Sequence, residues 1–184
     1  MRPSFHEIYM EFAVNMSRRS TCQRPIGGWP PDEQHRGVGC AIVTADWRSV
    51  VAVGYNGGAS GLENACDRTG AAAVGNCGCL HAEENAAINC TVPRDVEKIV
   101  FCTHLPCVMC AKRLINLGGV QEIYYRHDYR VKEALRWFER ARITTGHLVE
   151  GSSAADAQLR ARVALHLHTA GTVLGSSPPE GGSQ

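Results

Sequence analysis

Two stretches, Cys79-Leu80-His81-Ala82-Glu83-Glu84-Asn85-Ala86-Ala87 and Leu105-Pro106-Cys107-Val108-Met109-Cys110-Ala111, decide how this chain is read. The first has the form H-x-E, the second P-C-x-x-C, and 23 residues separate Glu83 from Cys107. His81, Cys107 and Cys110 offer one imidazole and two thiolates. Three protein ligands leave the fourth tetrahedral position to water, the arrangement of a catalytic zinc site. Cys107 and Cys110 are three apart, so on a helix they share a face, and Pro106 suits the first turn of that helix. Glu83, two residues from His81, falls close to the metal but outside its ligands, where a general acid/base belongs. A four-cysteine structural site would need a second Cys-x-x-Cys, and the nearest approach to one is Cys77-x-Cys79.

Working outward, residues 4–18 place Phe5, Ile8, Tyr9, Phe12 and Met16 on one helical stripe, expected to pack on the core. Ser4 and Glu7 form a capping box at its start. Residues 25–37, with four prolines and glycines in their first six positions, read as a loop. Cys40–Ala45 and Ser49–Tyr55 read as a hairpin. Residues 56–78 make a long Gly- and Asn-rich connection expected to wall the site. Then come a helix over 81–89, a strand Lys98–Cys102, a helix from Pro106 ending at Gly118-Gly119, and a strand Gln121–Tyr125. A helix with Val131, Leu135, Phe138 and Ala141 on one face and a last strand within 143–149 follow. Strands alternating with helices predict an α/β domain with helices on both faces of a mixed sheet. Residues 1–150 are expected to form this one domain and 151–184 an accessory tail. In the tail, 153–170 reads as a helix striped by Leu159, Val163 and Leu167, with His166 and His168 solvated, and 171–184 is too poor in apolar side chains to fold.

The bulk numbers fit this reading. The 184 residues are 44% hydrophobic and 20% charged, with formal net charge +1. There is no basic tract of the kind a polynucleotide needs, and no apolar run long enough for a membrane span. Nine cysteines, an odd count at metal-ligand spacing, and a polar N-terminus without a signal peptide point to reduced thiols in a cytoplasmic protein.

The pairing of H-x-E with P-C-x-x-C is the known signature of zinc-dependent nucleobase deaminases. Further segments resemble the deoxycytidylate (dCMP) deaminase family: Met1–Phe5, Arg19-Ser20-Thr21-Cys22 with Arg24, Val38–Val43, Gly54-Tyr55-Asn56-Gly57, His81–Ala86, Thr103–Lys112 and Tyr125–Arg130. The resemblance runs from residue 1 to about 148. It implies a cytidine-deaminase-like three-layer α/β/α sandwich with a mixed sheet of about five strands, and zinc-dependent hydrolysis of dCMP to dUMP and ammonia. By position it implies Glu83 as the proton shuttle, Asn56 on the sugar or base edge, and the Leu105 carbonyl on the leaving amine. Asn-Gly turn chemistry is the alternative for Asn56. Arg24, Arg126 and Arg130 are candidates for the substrate phosphate, since a planar guanidinium suits phosphate oxygens, with plain surface charge as the alternative.

The same resemblance implies a homo-oligomer, often a hexamer, activated by dCTP and inhibited by dTTP at a Gly-Tyr-Asn-Gly-x-Pro-x-Gly turn. This chain reads Gly57-Gly58-Ala59-Ser60-Gly61 there, without the Pro, and carries 13 residues between Arg24 and Val38 where the family has far fewer. Some family members hold a second, structural zinc. Cys22, Cys66, Cys77 and Cys79 are enough soft ligands for one, buried free thiols being the alternative. The rival functions are deamination of a modified or triphosphate cytosine nucleotide, a tRNA adenosine deaminase, and a non-catalytic zinc module. Glu83 speaks against the last.

Overall fold

The computed structural model describes residues 2–22, 37–63, 65–66, 77–129 and 131–173. Ten elements follow in the order α1 (Phe5–Ser17), β1 (Gly39–Thr44), β2 (Val50–Tyr55), α2 (Ala82–Asn89), β3 (Lys98–His104), α3 (Val108–Leu117), β4 (Val120–His127), α4 (Glu133–Arg140), β5 (Thr144–His147) and α5 (Ala154–Val173). The strands lie in one sheet, ordered β2-β1-β3-β4-β5. β1 pairs antiparallel with both β2 and β3, whereas β3, β4 and β5 run parallel, each parallel step made through a helix. The mixed α/β architecture is the one expected.

The sheet has an apolar cluster on each face. Cys40, Ile42, Val100, Cys102 and Ile123 pack under α2, α3 and α4, while Ala41, Val43, Ile99, Phe101 and Tyr124 pack under α1 and the start of α5. β3, the central strand, is buried along its whole length. It even buries Lys98, whose Nζ donates to the carbonyls of Pro93, Val96 and Gly118 at 2.9, 2.6 and 3.2 Å. Those bonds replace the hydration that a buried ammonium loses. The Gly118 carbonyl belongs to the C-cap of α3, where Gly118 and Gly119 both adopt positive φ (81° and 70°) and end the helix.

Two helices bury a different face from the one their large apolar residues suggest. α1 does have the Ser4–Glu7 capping box, but it turns Met10, Ala13, Val14 and Ser17 to the sheet and leaves Phe5, Ile8 and Phe12 exposed. α1 lies directly on β1 at Gly39, where a Cβ would overlap the Ala13 carbonyl, so small residues face this point of contact. α5 likewise buries Ala157, Ala161 and Leu165, while Leu159 and Val163 are 62% and 51% exposed. Its Ala157 packs with α1's cluster, whereas Ala161 and Leu165 join Leu135 of α4 beneath Tyr125. α5 is thus part of the packed domain, covering the short edge strand β5, and not the solvated appendage expected; covering an edge strand in this way blocks its pairing with other chains. Residues 174–184 lie outside the described residues, as do the side chains of Leu167 and His168. Among the described residues no helix is long and apolar enough to cross a membrane.

Candidate metal centre and nucleotide site

The N-termini of α2 and α3 converge. His81 is the N-cap of α2 and Cys107 the N-cap of α3, with Cys110 in the first turn of α3. Pro106 therefore precedes the helix instead of opening its first turn. The Cys107 sulfur accepts the Cys110 N–H at 3.5 Å, so a thiolate here meets both a backbone donor and the positive end of the helix. His81 Nδ1 lies 3.3 Å from Cys110 Sγ and 3.6 Å from Cys107 Sγ. All three donor atoms lie within 4.8 Å of one another. A tetrahedral zinc with usual N and S bond lengths sets such donors about 3.6 Å apart, so the group fits the metal and leaves one position open. The Cys107 thiol is pulled down to about 3 by the neighbouring Cys110 thiol and the His81 ring, whereas Cys110, buried and sharing that contact, is pushed up.

Glu83 sits in the first turn of α2 and is 4% exposed. Burial raises its carboxyl to about 7, against the opposing pull of its own backbone N–H and of His81. α2 is held down on β2 at Gly54, where a Cβ would overlap the Ala82 carbonyl and lie 2.5 Å from the Ala86 nitrogen. Asn85 fastens the same contact by donating its Nδ2 to the Tyr55 carbonyl at 2.8 Å.

Asn56 follows Tyr55 at the end of β2 and is buried. Its Oδ1 accepts the Val38 N–H at 2.6 Å, and the next residue forms a two-bond bridge to the residue before His81: Gly57 N–H to the Leu80 carbonyl (3.2 Å) and Leu80 N–H to the Gly57 carbonyl (2.9 Å). Asn56 is thereby tied close to His81. Leu105 is buried at the end of β3, two residues before Cys107, with its N–H bonded to the His127 carbonyl at 2.9 Å. Arg126 is not brought to this group. Strand alternation sends its side chain to the α1 face, where it pairs with Glu11 at 2.5 Å. Arg24 and Arg130 lie outside the described residues, as do 25–36 of the inserted loop.

A second group of donors stands beside the first. The sulfurs of Cys22, Cys66, Cys77 and Cys79 also lie within 4.8 Å of one another, with Cys22–Cys77 at 3.4 Å and Cys66–Cys79 at 3.7 Å. Tetrahedral zinc–thiolate geometry requires sulfurs about 3.8 Å apart, so these four fit a closed, structural site. Sequence reasoning missed Ser20 and Asn85 as holders of the Tyr55-Asn56 segment. Their only signal was that each is a small polar residue inside a quoted motif, with no chemistry of its own to single it out.

The description "Cytidine and deoxycytidylate deaminase zinc-binding region" matches residues 3–127. The deoxycytidylate deaminase of Schizosaccharomyces pombe is 32% identical over 140 residues, covering 71% of this chain and 39% of that protein. ComE operon protein 2 of Bacillus subtilis is 32% identical over 148 residues, covering 78% of this chain and 70% of its own length. The crystal structure of the dCMP deaminase from cyanophage S-TIM5, in complex with dCMP and dUMP, superposes with a TM-score of 0.63 at 27% identity, over 80% of this chain and 99% of that one. This chain spans about two fifths of the length of the two yeast deoxycytidylate deaminases it matches. With a zinc-binding region of this description over residues 3–127 and the same fold around it, the chain belongs to the cytidine and deoxycytidylate deaminase family.

Proposed function

We propose that this chain deaminates dCMP hydrolytically, consuming water and releasing dUMP and ammonia, and so supplies dUMP for thymidylate synthesis. The observation that carries the proposal is the buried carboxyl of Glu83 beside a three-donor metal group with one open position. The phage enzyme whose complex holds dCMP and dUMP supports this choice of nucleotide. A zinc held by His81, Cys107 and Cys110 would lower the pKa of its water and so supply a nucleophile at neutral pH. Glu83 takes a proton from the attacking water and passes it to the ring nitrogen beside the reacting carbon; it then takes the second proton from the added hydroxyl and delivers it to the amine as the C–N bond breaks, leaving the carbonyl of dUMP and ammonia. A carboxyl raised to about 7 is suited to both directions of that transfer. Asn56 orients the sugar or base edge, and the Leu105 carbonyl accepts from the amine.

The phosphate falls to Arg24 and Arg130, with Arg126 able to join only by exchanging Glu11 for it. Cys22, Cys66, Cys77 and Cys79 hold a second, structural zinc. Residues 1–150 with α5 as their outer layer act as one catalytic unit. A cytoplasmic setting is supported by the cysteines at metal-ligand spacing, which bind metal only when reduced. A homo-oligomer, with dCTP and dTTP as effectors, completes the proposal.

The test is loss of cytosine absorbance on zinc-loaded protein, run in parallel with dCMP, dCTP, deoxycytidine and AMP. Preferential turnover of dCMP is the expected result. Preference for dCTP would shift the substrate to the triphosphate, and turnover of none with zinc bound would overturn the proposal.

A further inference from the structure

Asn56 is bracketed from two sides, and both brackets end in the four-cysteine group. On one side the Ser20 hydroxyl donates to the Asn56 carbonyl at 2.7 Å, while its oxygen accepts the Cys22 N–H at 3.2 Å. On the other side Gly57 is bridged to Leu80, the residue after Cys79. Ser20 is itself fixed where α1 ends, its N–H bonded to the Ser17 carbonyl at 3.0 Å. Gly37 packs against the same spot so closely that a Cβ there would lie 2.5 Å from the Ser20 Cβ. A hydroxyl has one proton to donate, and here it goes to Asn56 while a lone pair takes Cys22. Ser20 thus connects the backbone of a cluster cysteine to the backbone of the residue assigned to the nucleotide.

We infer that Ser20 is a positioning residue through which the four-cysteine cluster sets Asn56, so that a metal in the cluster governs affinity for the nucleotide and not the rate of its conversion. The inference rests on the reading of Asn56 as a nucleotide ligand. Ser20 lies outside the His81, Cys107, Cys110 and Glu83 group, and its hydroxyl reaches the site through the hydrogen bond to the Asn56 carbonyl. Removing the hydroxyl leaves the Asn56 carbonyl and the Cys22 N–H without this partner, and the buried carbonyl then relaxes toward another donor. Asn56 would lose its aim while the metal ligands and Glu83 keep theirs.

The experiment compares the full-length chain with Ser20→Ala, Ser20→Thr, Cys66→Ser and Asn56→Ala. Zinc content and kcat are read in the active protein, and the Kd for dCMP by calorimetry with Glu83→Gln added to slow turnover. Ser20→Ala is expected to raise Kd about tenfold, the effect of one buried hydrogen bond, with kcat within about twofold and zinc content unchanged. Ser20→Thr, which keeps the hydroxyl, is expected to bind as the parent does. Cys66→Ser is expected to lose one zinc and show the same rise in Kd. Weaker binding by Asn56→Ala but not by Ser20→Ala would overturn the inference alone. Unchanged binding by Asn56→Ala would overturn the reading beneath it and the inference with it. A fall in kcat and zinc content together in Ser20→Ala would make Ser20 a folding residue only and also overturn it.

Discussion

His81 Nδ1 lies 3.3 Å from Cys110 Sγ, so the N-cap of α2 and the first turn of α3 meet at one point although 28 residues separate them in the chain. Neither helix alone presents three ligands. Their convergence depends on β3 lying between the two helices in sequence and under both in space. Cys110→Ala is therefore expected to remove one zinc per chain and to reduce dCMP turnover below about a thousandth of the parent's, because two remaining ligands do not hold a catalytic zinc. Metal analysis and kcat on the same sample check this. Full zinc content in the variant would mean that the ligand set is misassigned.

Glu83 makes a separate prediction. Glu83→Gln keeps the shape and burial of the side chain but removes its proton-carrying group. Zinc content is expected to stay at the parent's level while kcat falls by about 10²–10⁴-fold, the usual worth of a positioned acid/base. Parental kcat in this variant would take the proton shuttle away from Glu83.

Gly54 sets the height of α2 above the sheet. A Cβ at this position meets the Ala82 carbonyl and the Ala86 nitrogen, both backbone and unable to move separately from the helix. Gly54→Ala is expected to cost about 1–3 kcal/mol of stability, as overpacking does, and to weaken zinc binding because His81 caps the displaced helix. At Gly58 a Cβ would make only ordinary contacts, the nearest at 3.4 Å. Gly58→Ala is thus the control, expected to change stability by less than about 0.5 kcal/mol. Urea unfolding with metal titration distinguishes the two, and equal effects would show that the close approach at Gly54 is not limiting.

The contrast between Gly54 and the helix faces shows what was legible in the chain. The strands were readable because runs such as Lys98–Cys102 and Gln121–Tyr125 combine β-branched and aromatic residues. The grouping of His81, Cys107 and Cys110 was readable because the chemistry such donors offer is tied to their spacing. The buried faces of α1 and α5 were not, since large apolar side chains at helical spacing draw the eye to Phe5, Ile8 and Phe12 or to Leu159 and Val163. At their closest approach to the sheet both helices present small residues, Ala13 and Ser17 on α1 and Ala157 on α5. Gly39 leaves room only for Ala13 and Ser17, and at Gly146 a Cβ would lie 2.5 Å from the Tyr124 ring and 3.3 Å from Ala157. Interhelix and helix–sheet distance is a property of the assembled layers and leaves no periodic trace. The side of β4 that Arg126 occupies was within reach, because Ile123 and Tyr125 mark the opposite face by simple alternation. The four cysteines were countable, but their approach joins distant parts of the chain: Cys22 follows α1, whereas Cys66, Cys77 and Cys79 lie between β2 and α2.

His104 gives the pH prediction. It is buried at the end of β3, its ring 5.0 Å from that of His127, its strand neighbour in register. Burial, with the nearby His127 acting in the same direction, lowers its pKa to about 3. The unfolded chain has an ordinary histidine there, near 6.5. Above 6.5 both states are neutral at this site and the full contribution is present. As pH falls from 6.5 toward 3 the unfolded state takes a proton that the folded state refuses, so stability falls with a slope approaching 1.4 kcal/mol per pH unit for this one group. Carboxylates and His127 also titrate in this interval, so the parent must be compared with His104→Gln, which keeps a polar side chain without the titration. Between pH 6.5 and 5 the difference in unfolding free energy between the two proteins is expected to narrow by about 1–2 kcal/mol. Chemical denaturation at a series of pH values measures it, and parallel profiles would mean that His104 is as easily protonated in the folded protein as in the unfolded chain.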